Sequence, residues 1–408
     1  MKIIENGSVT TPAGFQAAGV AAGIKKKGSD RLDLALVVSD TDCAAAGVFT
    51  QNLVVAAPVL VCKETLAESR DRMRAVVVNA GNANACTGEP GLAAAGTMQQ
   101  VTGIWVGCEP QQVLPMSTGV IGVQLPMDVV SEGIRAAAER LSPTGGETAA
   151  HAIMTTDTRP KHQAIEVALS GGKVSLGGMV KGAGMIHPNM ATMLGLITTD
   201  ALIPAGTLQA MLLAAANKSF NCISIDGDTS TNDTVLMLAN GASGVSLQNA
   251  ADEAAFVEAL EALCVFLAQA VVRDGEGVTK FVEIRVSGAD TETSAHQVAN
   301  TIATSPLVKT AFAGSDANWG RISAAAGRAG VFFDAHKLAL WISKDKKHWL
   351  QLMASGQPTD YAEADAAEIF AAGDIAVHLD LAHGSAAATV WTCDLTHDYV
   401  SINADYRT

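Results

Sequence analysis

Lys181-Gly182-Ala183-Gly184-Met185-Ile186-His187-Pro188-Asn189-Met190-Ala191-Thr192-Met193-Leu194 is the stretch on which the reading of this chain turns. Residues 177–189 are rich in Gly and Met and end in His187-Pro188-Asn189, which predicts a loop. Residues 193–198, Met-Leu-Gly-Leu-Ile-Thr, then read as a buried strand. Upstream, residues 162–169 and 173–176 read as two strands joined by Gly171-Gly172, a hairpin signal. A polar, glycine-bearing loop set between strands on a rigid sheet is where sites are usually built.

Working outward, residues 32–38, 53–62 and 75–78 read as strands, and 91–106 and 127–141 as helices with small-residue faces. Downstream, a helix near 207–217 and a strand near 221–225 precede a polar loop over 226–233. A long helix is expected over 250–272, with further helices at 295–303, from Ser305-Pro306 onward, and at 360–371. Strands are expected at 281–286, 375–381, 386–393 and 399–402. Hairpins mixed with helices predict an α+β fold of layered helices and mixed or antiparallel sheets.

The 408 residues are 49% hydrophobic and 17% charged, enough for a large core in two or three lobes. Aromatics are only 4%, so small residues must pack helix against sheet closely. The net charge of −14 argues against nucleic acid as a partner, and Lys25-Lys26-Lys27 reads as a solvated turn. Seven widely spaced cysteines without a CxxC suit reduced thiols better than disulfides or zinc. The N-terminus lacks an apolar signal region, and the strongly apolar run at 263–272 is too short to span a bilayer. The expectation is a cytoplasmic protein without a membrane partner.

Familiar catalytic signatures are absent: no GxxxxGK[ST], no GxGxxG after a strand, no HExxH, no GxSxG. The histidines are scattered, and no metal is expected. The loop with Asp226, Asp228 and Asp233 lacks the closing glutamate of an EF-hand and reads as a turn ordered by Asx hydrogen bonds. Three clusters flank apolar strands: residues 79–88, residues 117–122, and Asp274-Gly275-Glu276-Gly277. Each alone is compatible with an ordinary tight turn.

The 181–194 stretch resembles the self-cleavage segment of the glutamate N-acetyltransferase (ornithine acetyltransferase) family of arginine biosynthesis. The resemblance extends, in order, through Gly47-Val48-Phe49-Thr50, Ala56-Ala57-Pro58-Val59, residues 79–88 and 117–122, Thr155-Thr156-Asp157-Thr158, residues 224–233 and 314–321, and the tail 402–408. It implies a self-cleaving fold of the N-terminal-nucleophile type. The cut would fall between Ala191 and Thr192, giving an alpha chain, 1–191, and a beta chain, 192–408, paired as an α2β2 heterotetramer.

The chemistry fits these residue types. A threonine hydroxyl needs a base to become a nucleophile. Freed by the cut, the α-amine of Thr192 would titrate near about 7.7–8.0 and serve as that base. The resemblance assigns the oxyanion-binding pair to Thr118 and Gly119, and substrate contacts to Thr155, Lys181, Thr192, Glu276, Asn403 and Thr408. Lys181 matches the family's carboxylate-binding lysine. Glu276 could hold the substrate amine or assist the nucleophile's proton. The implied substrates are N-acetylornithine and glutamate, with no cofactor. Whether acetyl-CoA is also a donor is not legible in any residue. An N-terminal-nucleophile amidohydrolase or aminopeptidase, passing the acyl group to water, and an uncleaved homologue without activity are the alternative readings.

Overall fold

The structure, a computed structural model, describes residues 1–187 and 193–405. Three of the expected site residues, Ala191, Thr192 and Thr408, lie outside them. Strands β1 (Lys2–Ile4), β2 (Phe15–Val20) and β3 (Leu34–Phe49) lead into α1 (Ala57–Ser69), β4 (Met73–Asn82), α2 (Gly88–Val106) and β5 (Val113–Val120). Then come α3 (Met127–Ala138), α4 (Gly146–Ala152), the hairpin β6 (Lys161–Leu169) and β7 (Gly172–Lys181), β8 (Leu194–Thr199), α5 (Ala205–Asn217), β9 (Thr234–Ala239) and α6 (Ala250–Val272). The last part holds β10 (Phe281–Ala289), α7 (Glu292–Ala303), α8 (Pro306–Ala313), α9 (Trp319–Gly327), β11 (Ala339–Ser343), β12 (Leu350–Ala354), β13 (Gln357–Pro358), α10 (Glu363–Ala371), β14 (Asp374–Asp380), β15 (Ala386–Cys393) and α11 (His397–Asp405).

Alternation along the strands sorts the first part into four layers. The order is β1-β6-β7-β8-β9-β3-β4-β5, with β2 also on β3. The first half of β3 pairs with β2 and β4, and its second half, from Ala44, pairs with β9. Between these halves Asp40, Thr41 and Asp42 are exposed, where the strand passes from one half-sheet to the other. Ala35, Val37, Val76 and Val78 share one core with Leu194, Leu196, Leu236 and Leu238, so the two half-sheets face each other. Leu34, Leu36, Ala75 and Val77 point the opposite way, onto Met98 of α2 and Ile134 of α3. Val235 and Met237 pack on Leu208 of α5 and Leu260 of α6. This is the expected α+β layering, with antiparallel pairs and the parallel pairs β4–β5 and β8–β9.

By length and composition α6 is apolar enough to cross a membrane. In the fold it lies over β6 and β7, with Phe256, Leu260, Leu263, Leu267 and Val271 buried. A second sheet, β13-β12-β11-β14-β10-β15, has its own core.

Four expectations are corrected. Residues 177–181 continue β7 rather than forming a loop: a Cβ on Gly177 would lie 2.1 Å from the Ser8 carbonyl oxygen, and one on Gly178 2.8 Å from Leu267. These glycines let a strand be pressed from both faces, a cause that composition cannot distinguish from flexibility. Within residues 53–62 the chain becomes α1, started by Pro58 in its first turn, where the missing N–H costs nothing. Residues 220–222 form a 3₁₀ turn, with only an isolated bridge from Ile223 to Trp391. Residues 399–402 lie in α11 rather than in a strand.

In sequence, the expected chain boundary at 191/192 lies between β7 and β8, which are neighbours in the first sheet. Lys181 at the end of β7 pairs with Leu194 at the start of β8. The segments before and after that point therefore interleave in one folded unit.

Candidate active site

The site begins where parallel strands β4 and β5 end together. Ser117 Oγ donates to Asn79 Oδ1 at 2.6 Å, and the ladder bulges at Gly81 and Asn82. Opposite the bulge, Gly119 has φ +134°, and a Cβ there would lie 2.2 Å from the Gly81 carbonyl carbon. Only glycine allows that approach. Thr118, beside it, is buried. Asn232, just ahead of β9, clamps both strands: its Nδ2 donates to the carbonyls of Ala83 at 2.6 Å and Ser117 at 2.8 Å.

Lys181 comes in from the end of β7. Its Nζ donates to Thr118 Oγ1 at 3.2 Å. Beneath it, Lys161 Nζ bridges Asp157 at 2.6 Å and Asp274 at 2.5 Å, all three side chains being at most 3% exposed. Burial alone would raise the Asp157 carboxyl, but Lys181 and Lys161 outweigh it and hold it down at about 2. Burial pushes the Lys181 ammonium below its ordinary value, against the pull of Asp157. Asp233 is wholly buried, and burial pushes its carboxyl well above the usual range. Its Oδ1 accepts from the N–H of Met193 at 3.0 Å, and its Oδ2 has no partner among the described residues.

The third wall is the turn after α6. Glu276 N–H donates to the Ala183 carbonyl at 2.8 Å. The Glu276 carboxylate sits on Gly184, where a Cβ would come within 2.5 Å of it. Asn403 of α11 donates through Nδ2 to Glu276 Oε2 at 2.8 Å. Asp226 accepts from the N–H groups of Met185 and Ile186, at 2.6 and 2.9 Å, and from the Tyr399 hydroxyl at 3.2 Å. Its oxygens are thus engaged in shaping the loop beside the cavity.

These walls border one open cavity. Thr118, Gly119, Thr155, Lys181, Glu276 and Asn403 all line it. Six expected site residues from five separate segments therefore meet at one place. Sequence reading missed Asp157, Lys161, Asp274, Asn232 and Asp233 as working parts. Asp157 and Asp274 stood inside clusters already singled out, but nothing in one dimension pairs either with Lys161.

A layered α+β fold with a charged, glycine-walled cavity where its strands end is the build of an enzyme. The chain belongs to the ArgJ family, whose model matches residues 16–408, as the 181–194 stretch had suggested. The arginine biosynthesis bifunctional protein ArgJ of Symbiobacterium thermophilum is 50% identical over 404 residues, covering 98% of this chain and 99% of that one. The protein of the same name from Parasynechococcus marenigrum is 46% identical, over 99% of this chain and 96% of that one. Among solved structures, ornithine acetyltransferase of Mycobacterium tuberculosis complexed with ornithine is 44% identical, over 46% of this chain and 97% of that chain, with a TM-score of 0.43.

Proposed function

We propose that this chain is a self-processing acetyltransferase that moves the acetyl group of N2-acetylornithine to glutamate, giving N-acetylglutamate and ornithine. The observation that carries the reading is the convergence of Thr118, Gly119, Thr155, Lys181, Glu276 and Asn403 on one cavity. Family membership and the arginine-biosynthesis relatives support the substrate class.

In this scheme Thr192 Oγ attacks the Ala191 carbonyl. The peptide nitrogen leaves as the Thr192 amine, and the acyl group rests as an ester on Oγ until water hydrolyses it. The neutral amine then takes the Oγ proton as Oγ attacks the acetyl carbonyl of acetylornithine. Ornithine departs with that proton, and the glutamate amine takes the acetyl group from Thr192. The Thr118 hydroxyl and the Gly119 N–H face the oxyanion of each tetrahedral intermediate. Lys181 offers a cation to a substrate carboxylate, and Glu276 with Asn403 holds a substrate amine, Thr155 and Thr408 completing the pocket. Acetyl-CoA as a second donor would load the same oxygen and release its thiol. We place the α2β2 assembly and a cytoplasmic location in the same reading.

The test is direct. Purified protein, N-acetylornithine carrying labelled acetyl, and glutamate are mixed, and labelled acetylglutamate is expected. Labelled acetate alone would make the protein a hydrolase instead. Denaturing mass spectrometry should find two chains with a new N-terminal Thr192. Thr192→Ala should stay whole and inactive, and a cut in that variant would refute the nucleophile assignment.

A further inference from the structure

Lys181 Nζ is 3.2 Å from Thr118 Oγ1. An ammonium group can only donate, so in this contact the hydroxyl accepts, and its own proton is left to point elsewhere. The open side of Thr118 is the cavity. Behind Lys181 the charges alternate: Asp157, then Lys161 at 2.6 Å from it, then Asp274 at 2.5 Å from Lys161, all buried. Asp157 Oδ1 also accepts from the Gly182 N–H at 2.8 Å, tying the ladder to the residue next to Lys181. Thr158 closes the far end, its N–H and hydroxyl both donating to Asp274.

We propose that the Asp274–Lys161–Asp157 ladder is a positioning device for the oxyanion-binding pair: through Asp157 it keeps the Lys181 ammonium on Thr118, and that ammonium turns the Thr118 hydroxyl proton into the cavity. The inference rests on the acyl-transfer reading and gives Lys181 a duty separate from any hold on a substrate carboxylate. Its physical content is a choice between two states. A neutral lysine amine has a lone pair, so the Thr118 proton would turn inward to it and be lost to the oxyanion. Burial drives Lys181 toward that neutral state, and the like charge of Lys161 adds to it. Asp157 opposes most strongly among the facing carboxylates, followed by Asp233 at the start of β9 and Glu276 after α6. Removing the Asp157 charge lets Lys181 lose its proton at lower pH.

The experiment uses p-nitrophenyl acetate, an acetyl donor with neither carboxylate nor amine, so a lysine serving only to bind substrate would not register. The pH dependence of kcat is measured for the processed wild type, Asp157→Asn and Asp157→Glu. The alkaline limb should move down by about one to three pH units in Asp157→Asn, and return toward the wild-type position in Asp157→Glu. Lys181→Met and Thr118→Val should lose similar factors on this ester, and the double variant little more, because both remove one device. An unmoved limb in Asp157→Asn overturns the proposal, as does a Lys181→Met enzyme impaired only in KM for N-acetylornithine. If Asp157→Asn and Asp274→Asn both stay uncut, the proposal also fails, since the ladder would then serve the cleavage loop alone. A wild type that cleaves the ester but forms no acetylglutamate refutes the proposed function. A wild type that does both, with an unmoved limb in the variant, refutes only the ladder.

Discussion

Both sheets bury lysines, and the partners of Lys309 and Lys161 differ. In the second sheet's layer, Lys309 of α8 sends its ammonium to Thr392 Oγ1 at 3.1 Å and to the Cys393 carbonyl oxygen, both neutral acceptors. At the end of the first sheet, Lys161 sits between two carboxylates, with Lys181 close by. The first arrangement staples a helix to a strand. The second concentrates charge of both signs next to a cavity, which raises stability little for the desolvation it costs. A core of Val, Ile and Leu such as that under β10 and β14 is the cheaper way to hold a sheet. Among the described residues, ion pairs with both side chains buried occur only at the end of the first sheet, and they mark where chemistry rather than packing set the residues.

This contrast can be broken most decisively at Lys161. Lys161→Met leaves Asp157 and Asp274 buried without their cation and should cost about 3–5 kcal/mol of unfolding free energy in urea melts. Thr118→Val should leave stability near wild type but lower kcat for acetyl transfer by about 100- to 1,000-fold, the loss of one oxyanion donor. Lys309→Met, which abandons only neutral acceptors, should cost about 1–3 kcal/mol. A loss at Lys309 equal to that at Lys161 would erase the distinction between the two sheets.

Two pH effects sharpen it further. The Asp157 carboxyl is lower in the fold than its ordinary 3.8, at about 2. Its contribution to stability is thus complete above 3.8 and drains away as pH falls toward about 2. Asp157→Asn should flatten that part of the acid-unfolding curve. Asp233 has the opposite sign. Its carboxyl is raised in the fold, so its contribution is complete below the ordinary carboxyl value and lost as pH rises through the raised one. An amide cannot ionise, so Asp233→Asn should lose less thermal stability than wild type as pH rises above the ordinary carboxyl value of 3.8. Parallel curves for the two proteins would show Asp233 to be charged throughout.

Much of the layering was legible because apolar alternation and hairpin glycines report directly on strands, as over residues 162–176 and 375–393. The same signals misled where two causes share one appearance. Gly177 and Gly178 look like a loop and are a strand squeezed between Ser8 and Leu267. Residues 399–402 carry strand-like residue types, yet α11 docks on Gly277, where a Cβ would be 2.6 Å from the Tyr399 backbone nitrogen. The candidate site residues were found through a pattern spread over the whole chain rather than through any single spacing.

By itself the amino-acid sequence determined the family, the α+β class and six of the residues that now share a cavity, because these depend on local propensity and on motifs kept in order along the chain. Only the tertiary structure decided that Asp157, Lys161 and Asp274 form one ladder under Lys181, and that the segments on either side of position 191 interleave in a single sheet. Asp157 and Asp274 are 117 residues apart in sequence, and Lys161 Nζ lies within 2.6 Å of both carboxylates. Coulomb attraction and desolvation act through space, and no one-dimensional pattern carries those distances.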